Sequence, residues 1–295
     1  MGAAVCRGRI CLNARFEAQS EVSTWKFDKS ARRLRRRRKF ASATLNCRPM
    51  SERIMAPAAS DIAPRRRKRR GSLLGGLVRW FFLITVVLPV ALILVLRFVP
   101  PPATPLMIGT VIFDGPIEQR WVPLEAISPN LVRAVIAAED DKFCSHYGFD
   151  LEAIDKAIER NAASNRLRGA SSISQQTAKN LFLGPDRTWL RKGVEAYLTV
   201  LVETLWPKRR IMETYLNIAE WGPRRFGAEA AARANFRKSA SQLSPLEAAR
   251  LATILPSPLV YRADVPGPFV ARQSEVILAR MGEVRRDRLD ACIYQ

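Results

Sequence analysis

The chain has 295 residues, is 48% hydrophobic and carries a formal net charge of +21, enough for one large domain with appendages or two modest ones. The charge is uneven: residues 1–70 hold 20 Lys/Arg against 5 Asp/Glu, while the residues after Arg97 hold 26 against 22. The extreme basicity therefore belongs to the N-terminal tail, and a nucleic-acid-binding reading of the whole chain loses its support.

Residues 1–54 lack apolar periodicity and contain a basic run, Arg32–Lys39. They read as a basic, disordered cytoplasmic tail that extends to residue 70, with anionic lipid or nucleic acid as unspecific partners. A second reading is an over-extended start, because Met50 and Met55 both precede the basic cluster Arg65–Arg70. From Trp80 to Leu96 run 17 uncharged, mostly apolar residues, which Leu73–Val78 can extend. That suffices to cross a hydrocarbon core of roughly 30 Å, so residues 73–97 are expected to form a transmembrane helix. A buried soluble helix and a cleaved signal peptide are the weaker alternatives. Six basic residues, Arg65–Arg70, precede the span and only Arg97 directly follows it, which predicts a cytoplasmic N-terminus and an external body over residues 98–295.

Pro100–Pro105 reads as a stiff linker and Met107–Phe113 as a short strand or extended lead-in. Ser128 and Pro129 form a cap and first-turn pair, after which the pattern stays helical. Helices are expected over Leu151–Asn161, Ser172–Leu181, Thr188–Trp206, Lys208–Ile218, Phe226–Phe236, Pro245–Ile254 and Pro268–Met281. The body is therefore a mainly α-helical domain. The cysteines (Cys6, Cys11, Cys47, Cys144, Cys292) are odd in number and form no CxxC pair, arguing against a zinc site and a disulfide framework. The single histidine, His146, argues against mechanisms that need two.

Four blocks carry candidate chemistry. In EDDKFCSHYGFD, Glu139 ends an apolar helix face shared with Leu131, Val132, Val135 and Ile136. Partial desolvation there raises a carboxylate's pKa and suits a general base, although a helix-end acid paired with a neighbouring cation has the same pattern. In RGASSISQQTAKN, small and hydroxyl residues including Ser171 lead into Gln175 and Gln176, with Lys179 one turn on. This is either a donor-rich helix start for an anion or sugar, or a polar loop with a well-capped helix. In DRTWLRKGVE, Arg187, Arg191 and Glu195 are spaced four apart with Lys192 beside them, as a phosphate site or a surface ion-pair network. The fourth block, KRRIMETYLNIAEWG with the Ala-rich stretch after Gly227, reads as scaffold.

Taken together, the order and spacing of these blocks resemble glycosyltransferase family 51, the peptidoglycan glycosyltransferases. That family carries EDxxFxxHxGxD, GxSTxxQQxxKN, RKxxE and KxxILExYLN blocks in this order, and the similarity covers about residues 107–283. Ala170, Ser172 and Asn235 stand where the family often has Gly, Thr and Tyr. The resemblance implies a lysozyme-like helical fold in the single-domain form, since no transpeptidase domain follows. It further implies polymerisation of lipid II into β-1,4 glycan strands with release of undecaprenyl pyrophosphate. Glu139 matches the catalytic base and Glu195 the second essential glutamate. Lys179 and Arg187 match contacts to the donor pyrophosphate, and Gln175, Gln176, Ser171, Arg191 and Lys192 fall in the donor cleft. No metal-ligand cluster is visible, although a divalent cation such as Mg would suit a departing pyrophosphate. The implied partners are lipid II, the growing strand, membrane lipid and proteins of a cell-wall synthesis complex, with no nucleic acid. A lytic glycan-cleaving enzyme and a non-catalytic membrane-tethered binding protein are the rival readings.

Overall fold

The computed structural model describes residues 73–163, 171–184 and 188–294. The basic tail, and with it the reading of residues 1–54, lies outside the described residues, as does Arg187.

The apolar run forms α1 (Leu73–Phe82), a π turn (Leu83–Val87) and α2 (Leu88–Leu96). Its Leu74–Leu96 stretch is 23 residues long, apolar and largely uncovered by the rest of the protein, long enough to cross a membrane. The π turn has a local cause. Pro89 has no N–H to give to the Thr85 carbonyl, and its ring presses on that carbonyl. The freed Thr85 oxygen instead accepts the Tyr197 hydroxyl at 2.9 Å.

Met107–Phe113, expected as a strand or extended lead-in, is part of a helix, α3 (Pro105–Phe113). Thr104 caps it by accepting Met107 N–H, and Pro105 supplies a preset first turn. A short run of β-branched and apolar residues is compatible with either element, and the cap decides.

The domain's centre is α4 (Pro129–Glu139), capped by Ser128 with Pro129 in its first turn, as the sequence predicts. Leu131, Val132, Ala134, Val135 and Ile136 are wholly buried, so α4 is enclosed on nearly every side. It packs on α10 (Pro245–Ile254) and α11 (Pro268–Arg286). The latter runs one turn beyond the expected end at Met281. A second group joins α6 (Ile173–Phe182), α7 (Trp189–Leu205) and α8 (Lys208–Ile218). The remaining helices are α5 (Leu151–Ala163), α9 (Ala228–Phe236) and the terminal α12 (Ala291–Tyr294).

A small sheet of β1 (Glu118–Gln119), β2 (Glu220–Gly222) and β3 (Arg225–Phe226) has the order β1-β3-β2, parallel then antiparallel. Phe226, expected as the start of a helix, is therefore in a strand, and Gly227 makes the turn into α9. Gly227 has φ +87°, and a Cβ there would meet the Asn217 carbonyl at 2.9 Å, so no other residue fits without displacing backbone. The buried Asn217 side chain accepts Val122 N–H and donates to Val122 O, both at 2.9 Å, tying α8 to the segment after β1.

α7 lies along α2, and the two are joined where the apolar helix ends. Trp206 Nε1 donates to Ile93 O at 2.7 Å, and Arg210 donates to Leu96 O at 2.8 Å and Val99 O at 2.9 Å. Ile93 O also accepts Arg97 N–H at 3.0 Å, whereas Leu96 O is among the carbonyls a helix C-terminus leaves without a backbone partner, and a cation there also suits the helix dipole.

Cys144 and Cys292 are joined by a disulfide across 148 residues of sequence. The argument from an odd cysteine count against disulfide bonding is corrected by this bond. Two cysteines so far apart in sequence meet only because α12 folds back beside the loop after α4.

Candidate active site

The first two blocks interlock through one carboxylate. Asp140, just past α4, accepts the Ile173 N–H at 3.0 Å, at the start of α6. The same side chain pairs with His146 Nε2 at 2.9 and 3.0 Å. His146 Nδ1 accepts Gly148 N–H at 3.1 Å, so Nε2 carries the proton that faces Asp140. The fourth block locks the same loop. Lys208 donates to His146 O at 2.7 Å and Glu203 at 2.8 Å, and stands 4.6 Å over the Phe143 ring. Gly148 has φ +87°, and a Cβ there would lie 2.8 Å from a Thr199 methyl, so the loop passes α7 at the closest approach glycine allows. The sole histidine is thus a structural strut.

At the start of α6, Ser172 and Gln175 form a capping box: Ser172 Oγ accepts Gln175 N–H, and Gln175 Oε1 accepts Ser172 N–H. Gln175 is buried and its amide oxygen is spent on the cap. The structure thus gives it the task of building the helix start that holds its neighbours. Gln176, one residue on, faces the other way. Its Nε2 donates to Glu139 Oε2 at 2.7 Å and to Ser171 O at 3.4 Å. Its Oε1 accepts the Tyr215 hydroxyl at 3.3 Å.

Glu139 is half-buried at the end of α4. Burial raises its pKa above the ordinary carboxylate value; the Gln176 hydrogen bond opposes the rise, Asp140 adds to it, and Lys179 opposes it. On one side Glu139 lines a cavity of about 110 Å³ with Asp141, Asp150, Ser171 and Arg280. Beyond Gln176 lies another hollow, about 170 Å³, lined by Lys179, Asn180, Tyr215 and Glu220.

Lys179 is held below its ordinary pKa, chiefly by burial. The Glu195 charge opposes that shift, while Arg191 and Lys192 add to it. Glu195 itself is 2% exposed and clamped by Arg191 Nη1 at 3.1 Å and by Lys192 Nζ. A buried acid under two basic side chains is not the loose surface network that the spacing alone allows. Arg191 Nε is buried and has no partner among the described residues. Among those residues, His, Cys, Asp and Glu do not gather in groups of three that would hold a metal ion. Glu139, Asp140 and Glu195 are engaged by N–H and ammonium donors.

A family model described as transglycosylase matches residues 108–282. The chain belongs to the transglycosylase family. Among its relatives, the biosynthetic peptidoglycan transglycosylase of Rhodospirillum centenum is 52% identical over 79% of this chain and 98% of that protein. Its namesake in Caulobacter vibrioides is 50% identical over 75% and 96%, and that of Pseudomonas aeruginosa 48% identical over 70% and 90%. The transglycosylase match spans α4, α6, α7 and α8, the elements that carry Glu139, Gln176, Glu195 and Tyr215. Of these, Tyr215 was read from sequence as scaffold. Its place on the face of α8 that also carries the fully buried Ile211 and Met212 gave no sign that its hydroxyl reaches a cleft amide. The signal that could have found it is its polar tip on an otherwise apolar helix face, since a buried tyrosine hydroxyl seeks a partner.

Proposed function

We propose that this transglycosylase polymerises lipid II, joining its disaccharide to a growing strand carried on undecaprenyl pyrophosphate. Family membership makes the chain a glycosyltransferase of peptidoglycan synthesis. The observation that carries the finer reading is a pair of contrasting environments. Glu139 is a half-buried carboxylate with raised proton affinity. Nearby, Lys179 shares an electrostatic neighbourhood with Arg191, Lys192 and the buried Glu195.

In this mechanism Glu139 accepts the proton of the acceptor's GlcNAc 4-hydroxyl as that oxygen attacks the donor's anomeric carbon. The bond to the pyrophosphate oxygen breaks and its electron pair leaves with the pyrophosphate. Attack opposite the leaving group inverts the centre and gives a β-1,4 link. Lys179, Arg191 and Lys192 face the charge that grows on the leaving group, where preorganised donors contribute most. By resemblance Arg187 joins them. Glu195 holds Arg191 and Lys192 in register, and Gln176, which also donates to Ser171 O, holds Glu139.

The domain works on the outer side of the bacterial inner (plasma) membrane, with the N-terminus in the cytoplasm. The basic cluster Arg65–Arg70 before the span supports that orientation, and so does the Cys144–Cys292 disulfide, a bond that persists in oxidising compartments. Partners on this reading are the growing strand, membrane lipid and proteins of a cell-wall synthesis complex.

Purified full-length protein incubated with labelled lipid II tests the reading. Polymer and released undecaprenyl pyrophosphate are expected. Cleavage of preformed glycan without polymer formation would overturn it in favour of a lytic enzyme.

A further inference from the structure

Tyr215 is 1% exposed, yet its hydroxyl ends against a side chain of the cleft. Its one hydrogen-bond partner among the described residues is Gln176 Oε1, and Gln176 in turn donates to Glu139. A primary amide is nearly symmetric in shape but not in polarity. Rotated by half a turn, Gln176 would set its oxygen against the Glu139 carboxylate and its NH₂ against the tyrosine.

We propose that Tyr215 is a positioning residue for Glu139: its buried hydroxyl fixes which end of the Gln176 amide faces the carboxylate and so keeps an N–H donor on the base. The inference rests on the reading of Glu139 as general base.

The two amide orientations favour opposite states of Glu139. With Nε2 forward, the ionised carboxylate gains a charge-assisted hydrogen bond. With Oε1 forward, an ionised carboxylate is repelled and only the protonated acid can pair. Phenol is a good donor to an amide oxygen, so Tyr215 biases the amide toward the first orientation. Ser171 O, accepting the second amide hydrogen at 3.4 Å, leans the same way over a longer contact. The other charged groups around Glu139 divide: Asp140 raises its proton affinity and Lys179 lowers it, while Asp141, Asp150 and Arg280 line the cavity it faces. Burial remains the dominant influence, so the Gln176 bond is what opposes it most. Tyr215 itself is held well above the ordinary phenol range by burial and by the Glu139 charge, so it stays a neutral donor throughout the working range.

The test is the pH profile of turnover for the full-length chain in detergent with labelled lipid II, alongside melting temperature. Tyr215→Phe keeps the ring and its packing and removes the donor. Its acid limb should move upward by about half to one pH unit, which lowers turnover about three- to tenfold below the limb, with recovery on the plateau. Gln176→Met should move the limb at least as far, and adding Tyr215→Phe to it should move the limb no further. An unmoved limb, a uniform loss at all pH values with lowered melting temperature, or additive shifts in the double variant would each overturn the proposal. If Tyr215→Phe does not fold, a fluorotyrosine introduced at position 215 carries the test. Its more acidic phenol donates more strongly, so the limb should move down, and an unmoved limb overturns the inference. Glu139→Gln separates the two levels. Retained turnover in that variant sinks the general-base reading, whereas an inactive Glu139→Gln with an unmoved Tyr215→Phe limb sinks only the role of Tyr215.

Discussion

Breaking the Cys144–Cys292 bond should destabilise the domain while leaving its folded form nearly intact. The bond closes a loop of 148 residues, with the two Cα atoms 5.5 Å apart. Restricting an unfolded chain by a loop of that size corresponds to about 5 kcal/mol in the chain-entropy model, and measured values more often fall at about 2–4 kcal/mol. The native state has other fastenings at both ends of the bond. Asp290 pairs with Arg133 at 2.7 Å, Arg209 donates to Ile293 O at 3.0 Å, and Ile293 is fully buried. The loop around Cys144 is held by Asp140, His146 and Lys208. The loss therefore falls mainly on the unfolded ensemble, and for a domain near 200 residues it corresponds to a melting temperature lower by about 5–15 °C. The assay is thermal melting of Cys144→Ser, Cys292→Ser and the double variant, with thiol counting by non-reducing mass spectrometry. All three should melt together, because each removes the same cross-link, and turnover well below the melting point should change far less. Free thiols at both positions in protein recovered from an oxidising compartment, or serine variants that melt with the parent, would refute the reasoning.

Glu139→Gln keeps the shape and the neighbour Gln176 but cannot take a proton; polymerisation should fall by about 10²–10⁴-fold with an unchanged fold by circular dichroism. On the proposed mechanism, which uses an ionised Glu139 and a charged Lys179, turnover against pH should be a bell with its acid limb above the ordinary carboxylate value and its alkaline limb below the ordinary lysine value. Since folded Glu139 holds its proton to higher pH than the unfolded chain, its contribution to stability is greatest below pH 4.5 and is lost as pH rises through the raised value, which denaturant melts of the parent and Glu139→Gln across that window would reveal. Lys179→Met should lower turnover more than substrate affinity, measured as kcat against KM, with little change in melting temperature. Deleting residues 1–54 should leave polymerisation in detergent intact.

How much of this was legible in sequence depended on whether the signal was local. The Ser128–Pro129 start of α4, the bounds of α8 and α10, and the apolar face ending at Glu139 follow from caps and periodicity. These are short-range physics. Gln175 and Gln176 look alike in sequence, and only the capping box separates the one that builds the helix start from the one that reaches Glu139. Met107–Phe113 failed as an extended segment because an apolar run is ambiguous until Thr104 caps it. The disulfide and the Tyr215 contact were illegible for a different reason. Both join segments distant in sequence, by 148 residues in one case and 39 in the other, and neither separation has a periodic signature.

The helix α7 brings the chemistry and the anchor together. Glu195 points inward and gathers Arg191 and Lys192, whereas Tyr197, two residues on, points outward to Thr85. On a helix, positions two apart face different ways, so one element can serve a cleft and a neighbouring helix at once. The outward bond exists because Pro89 leaves the Thr85 carbonyl without its usual partner. In an apolar helix such a carbonyl is costly unless something satisfies it, and here the partner comes from the catalytic domain. Further along, Trp206 adds a second donor to Ile93 O and Arg210 satisfies the Leu96 carbonyl at the end of the same apolar helix. The apolar helix is thus hydrogen-bonded to the domain at several levels rather than joined only through its linker. Withdrawing α7 from it would leave the Thr85 carbonyl unpaired, so the cations that α7 carries stay fixed relative to the apolar helix.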